Sequence, residues 1–124
     1  MSYQQIIDEM DPGLERCILS ILDKRNGVEK AIKKGEIIAL TRQLGFKVSD
    51  ERQIRIAISK LRKNNILIGS LAKVGYFMIT NRAEWEEVKN KEFLAKIKDM
   101  NDTIHIMDAS ARSMFGEGYQ GRLL

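Results

Sequence analysis

Along SDERQIRIAISKLRKNN, residues 49–65, apolar positions recur at the spacing of an α-helix. At ~100° per residue, Ile54, Ala57, Ile58 and Leu61 share one face, and Arg52, Arg55, Ile56, Ser59 and Lys63 share the other. Ser49 is the expected N-cap, because its hydroxyl can accept from an unpaired backbone N–H. Asp50 and Glu51 follow in the first turn, and Lys60, Arg62 and Lys63 occupy the last, as the helix dipole favours. Asn64 and Asn65 supply the stop, since asparagine tolerates the left-handed conformation that ends helices.

Upstream, DPGLERCILSILDKR predicts a helix with Asp11 as N-cap, Pro12 at the first helical position, and Leu14, Ile18, Ile21 and Leu22 on its apolar side. Arg25, Asn26 and Gly27 break that pattern. VEKAIKK reads equally as a short strand, a helical turn or a connection. GEIIALTRQLG predicts a second helix, with Ile37, Ile38, Leu40 and Leu44 apolar and Gly45 at its end. The period then changes. ILIGS and YFMIT are short β-prone runs joined by LAKVG, a hairpin whose loop holds Lys73 and Gly75. Asn81 caps a further helix, with Glu84 at the capping-box spacing. No Pro or Gly interrupts the residues after it until Gly116, so one helix of more than thirty residues is expected. The nine residues 116–124 hold three glycines and no periodicity, and a flexible tail is expected there.

The order of helix, helix, helix, hairpin and long helix makes an α+β, mainly α chain. Residues 14–90, and above all SDERQIRIAISKLRKNNILI followed by GYFMIT and the asparagine-capped TNRAEWEEV, resemble small winged helix-turn-helix proteins of bacteriophages and prophages. The resemblance implies a winged helix-turn-helix domain over residues 1–80, built of three helices plus a two-stranded wing. It is followed by a long C-terminal helix over 81–115. It also implies sequence-specific binding of double-stranded DNA, as a transcriptional regulator or a replication-associated factor. In that family the third helix enters the major groove. Carried over by position, Arg52, Gln53, Arg55, Ile56, Ser59, Lys60 and Lys63 would face DNA, with Lys73 at the wing tip reaching the minor groove or the backbone. Arginine and glutamine suit base edges because each can make two hydrogen bonds at once, and Ile56 suits a thymine methyl. Serine and lysine suit phosphates. Asp50 and Glu51 run against this placement. The plainer reading is a solvated charged face carrying one exposed isoleucine, and a winged helix can also use these faces to bind protein.

In the long helix, Phe93, Met100, Met107 and Met114 recur every seven residues, as do Asn90, Ile97, Ile104 and Ala111. The two series make a coiled-coil seam, with Asn90 the kind of polar position that fixes register. Trp85 and Val88 lie off this seam and are expected to tie the helix to the domain before it. The expected dimerisation residues are therefore Asn90, Phe93, Ile97, Met100, Ile104 and Met107, and the expected partner is a second copy. The other use of such a stripe is to fold back on its own domain.

Composition adjusts this picture only slightly. The 124 residues carry a formal charge of +4 and a pI of about 9.3, which agrees with an anionic partner without demanding one. The single cysteine, Cys17, excludes an internal disulfide framework, fits a reducing cytoplasmic setting, and reads as a buried small hydrophobe. No apolar run approaches a membrane span and no signal-peptide pattern is present. His105 stands between two isoleucines without the neighbours a metal site needs. No glycine-rich phosphate loop and no nucleophile beside a base is found. The expectation is a protein that is not an enzyme and takes no cofactor or small-molecule ligand.

Overall fold

The computed structural model describes residues 3–116. The expectation of a flexible tail over 116–124 thus lies, apart from Gly116, outside the described residues. The chain divides into two compact units, Met1–Val88 and Lys89–Leu124.

The first unit contains α1 (Gln4–Glu9), α2 (Leu14–Leu22), α3 (Lys34–Gln43), α4 (Glu51–Lys63), β1 (Ile68–Leu71), β2 (Gly75–Met78) and α5 (Arg82–Val88). Its core is made where α2, α3 and α4 meet: Ile18, Leu19, Leu22, Ile37, Ile54, Ile58 and Leu61 are all buried there. α1 has no counterpart in the sequence reading. It buries a single residue, Ile7, while Ile6 beside it is exposed, and two adjacent isoleucines leave no periodic signal. α2 starts later than expected, with Gly13 as N-cap and no side-chain cap, so Asp11 and Pro12 lie outside the helix. Leu44 is the C-cap of α3 and 64% exposed, not part of the core. The buried position one turn earlier is Thr41, whose hydroxyl donates to the Ile38 carbonyl (2.9 Å).

The turn from α3 to α4 is fixed by local chemistry. Gly45 takes the left-handed region (φ 95°), which costs glycine little. Val48 is buried, and its carbonyl accepts from the Arg42 guanidinium (2.8 Å). The N-cap of α4 is Asp50 and not Ser49. The Asp50 carboxylate accepts from the backbone N–H groups of Arg52 (3.0 Å) and Gln53 (3.4 Å). Ser49 donates its N–H (2.6 Å) and its hydroxyl (3.0 Å) to Gln53 Oε1. The capping pair is thus present one residue out of the expected frame. The buried residues of α4 are Ile54, Ala57, Ile58 and Leu61, the face the periodicity predicted. Asn65, just past the helix, has φ 67°, the left-handed stop.

β1 and β2 are antiparallel, with Ile68 opposite Met78 and Leu71 opposite Gly75. The ambiguous segment VEKAIKK becomes a 3-10 turn, Val28–Lys30, and then a single bridge to the outer edge of β2. Ile32 and Tyr76 exchange two backbone hydrogen bonds of 2.8 Å. Gly75 makes that approach feasible: a Cβ there would lie 2.4 Å from the Ile32 carbonyl oxygen. Phe77 and Val88 are fully buried in a second small cluster with Leu71, so α5 belongs with the hairpin and the first unit runs to Val88, past residue 80. Asn81 caps α5 by accepting from Glu84 N–H (2.9 Å).

The single long helix expected after Asn81 is interrupted. α5 is followed by a π-helical turn, Lys89–Leu94, and then α6 (Ala95–Phe115). These last two form the described part of the second unit, and α6 buries none of its residues.

Candidate nucleic-acid interface

The outer face of α4 exposes Arg52, Arg55, Ile56, Ser59 and Lys63 together, because the four buried positions of the helix turn these outward. Ile56 is 45% exposed among them. Among the described residues, Arg52, Ser59 and Lys63 make no side-chain hydrogen bond or ion pair. Their long or polar side chains are therefore available to a partner.

Three basic or polar residues of the same helix are engaged elsewhere. Gln53 is half-buried and its carbonyl oxygen is occupied by Ser49. Lys60 lies 3.6 Å from Glu15 of α2. Arg62, which the sequence groups with the basic last turn, donates to the Ile68 carbonyl (2.9 Å) and to the Ser70 hydroxyl (3.3 Å). It fastens β1 to α4, a role that charge alone does not signal.

The two acidic residues at the start of α4 are compensated from within the protein. Asp50 spends its carboxylate on the cap. Glu51 meets Lys34 of α3 at 2.8 Å, and that ammonium, by hydrogen bond and charge, holds the Glu51 carboxyl below its ordinary range. Lys34 was not singled out by sequence; only the turn between the helices brings it beside Glu51. The objection that Asp50 and Glu51 would repel phosphates is correspondingly weaker.

Lys73 stands at the tip of the hairpin between Ala72 and Val74, all three exposed. Its φ of 66° is unusual for a residue with a Cβ and is imposed by the tight turn. Cys17 is half-buried, less than expected, and burial pushes its thiol pKa up. Among the described residues no cluster of His, Cys, Asp or Glu could hold a metal ion, and no helix is long and apolar enough to cross a membrane.

The seam residues of the second unit divide in two groups. In α6, Ile97, Met100 and Met107 are exposed and Ile104 is partly so, and these form one continuous line. Asn90 and Phe93 lie inside the π-helical turn, whose i→i+5 ladder advances each residue by less than the α-helical step. The seven-residue repeat that sets Asn90 and Phe93 in the seam therefore does not run through this turn at α-helical pitch.

Comparison of the chain with family models, with curated proteins and with solved structures returns no match.

Proposed function

We propose that the first unit is a winged helix-turn-helix domain that binds double-stranded DNA, with α4 in the major groove and the hairpin as the wing. The outer face of α4 carries the reading: two arginines, a serine and a lysine stand exposed around an isoleucine whose burial within the monomer nothing requires. Arg52 and Arg55 contact base edges, Ile56 a thymine methyl, and Ser59, Lys63 and Lys73 the backbone. Lys60 reaches a phosphate by leaving Glu15, and Gln53 serves the start of the helix first. α6 joins two copies, so that two half-sites are held together and their spacing is set by the seam. The chain would then act as a transcriptional regulator or a replication-associated factor of the phage and prophage type.

Replacing Arg52 and Arg55 together by Ala tests the assignment. Selection from a random duplex pool supplies the probe, and fluorescence anisotropy supplies the affinity. The double mutant is expected to lose specific binding while keeping its melting temperature, because neither side chain enters the core. Binding by the parent is expected to fall steeply with salt, as neutralised phosphates require. A double mutant that binds as the parent does removes α4 from the interface.

A further inference from the structure

A second surface of the first unit lies apart from the α4 face and shares no residue with it. Between α2, α3 and the segment after α2 runs an open groove of about 940 Å³. Its apolar floor includes Ile21, Leu40 and Phe46, each half-buried, and Leu44, which is 64% exposed. Its rim carries Arg16, Lys24, Arg25 and Lys30 against one acidic residue, Glu29. None of the four cations forms an ion pair among the described residues, and Arg16 makes one hydrogen bond, to the Met10 carbonyl (3.3 Å).

The lining selects among occupants. A small ligand is held by walls that enclose most of its surface, and this groove is open. A phosphate backbone satisfies the cations but leaves the apolar floor against water. A helix with apolar residues on one face and carboxylates beside them satisfies both, in the helix-in-groove mode with anchors at three- and four-residue spacing. We infer that the α2–α3 groove docks an acidic amphipathic helix of a partner protein. Leu44 then has a use: it leaves the core because the docked helix covers it. The domain holds its partner on a different face from α4, so the two contacts are compatible on one molecule.

The probe is a synthetic peptide of Glu and Ala carrying Leu and Phe at alternating three- and four-residue spacing. It is titrated into the full-length protein and followed by amide NMR shifts and calorimetry. Saturable binding is expected, with shifts centred on Cys17, Ile21, Leu40 and Phe46. Leu44→Glu and Lys24→Glu should each weaken it by about tenfold or more, as loss of a central anchor or rim charge does, whereas Lys98→Glu in α6 should not. A scrambled peptide of the same composition that binds equally well overturns the inference, because charge alone would then suffice. It also fails if the shifts fall on α4, or if duplex DNA moves the groove amides instead. Should Leu44→Glu unfold, Lys24→Glu with a parental circular dichroism spectrum decides the matter.

Discussion

Glu84 accepts from the Thr80 N–H (2.8 Å) and hydroxyl (2.8 Å) through one carboxylate oxygen, and from the Val28 N–H (2.7 Å) through the other. Burial works to raise this carboxyl, but the three donors outweigh it and hold the pKa below the ordinary value. The folded group is thus the stronger acid. Its contribution is complete above the ordinary carboxylate range and is lost as pH falls through the lowered folded value. Glu84→Gln is expected to cost about 1–3 kcal/mol at neutral pH, the scale of hydrogen bonds to a charged group. The gap to the parent should narrow by about pH 3, and denaturant titration at the two pH values measures both. The sequence showed that Asn81 and Glu84 stand at capping distance. It could not show that the carboxylate turns to Thr80 and to Val28, which folding alone brings near. At Asp50 the limit is finer: two adjacent residues are both good caps, and the side chain of Gln53 settles which one serves.

Among the elements, α4 was the most legible, because four buried positions on thirteen residues fix its phase. That phase makes a quantitative prediction. Ile58→Ala should destabilise the domain by about 2–5 kcal/mol, as truncation of a buried aliphatic does. Ile56→Ala, at a position 45% exposed, should cost much less stability and should weaken DNA binding. Thermal and denaturant unfolding of both mutants, beside their duplex affinities, checks the pair, and reversed stabilities would rotate the proposed interface away from DNA. The elements that escaped the sequence each lack a period. α1 buries one side chain, and the 25–32 segment meets β2 through isolated bridges. The π-helical turn holds no glycine or proline to announce it, so the sequence drew the seam through Asn90 and Phe93 at constant pitch.

For the molecule as a whole, the division after Val88 separates the proposed DNA-binding surface from the exposed line of α6. Sequence placed the boundary at residue 80, where the cap is, yet it also set Val88 off the seam as a tie to the preceding domain, and Val88 is buried with Phe77 and Leu71. Over α6 the line from Ile97 through Met100, Ile104 and Met107 to Met114 is the surface proposed to join two copies. A carboxylate at Ile104 would have to be desolvated on association without a partner charge, which costs several kcal/mol. Ile104→Glu is therefore expected to give a folded monomer with weaker DNA binding, and sedimentation velocity on parent and mutant checks it. A parent already monomeric at micromolar concentration ends the coiled-coil reading while leaving the α4 assignment intact.

Three positions of that line, Met100, Met107 and Met114, carry thioethers, and they are 67%, 65% and 78% exposed in the single chain. Whenever the two copies part, these sulfurs are open to peroxide, and each sulfoxide then sets a polar oxygen where the seam needs an apolar surface. The proposed assembly is therefore sensitive to oxidation in a way the domain core is not, since the core methionine, Met78, is only 2% exposed. Mild peroxide should separate the two copies while the first unit stays folded, and methionine sulfoxide reductase should bring them back together. A protein of this design would loosen its hold on paired sites under oxidative stress and recover without new synthesis.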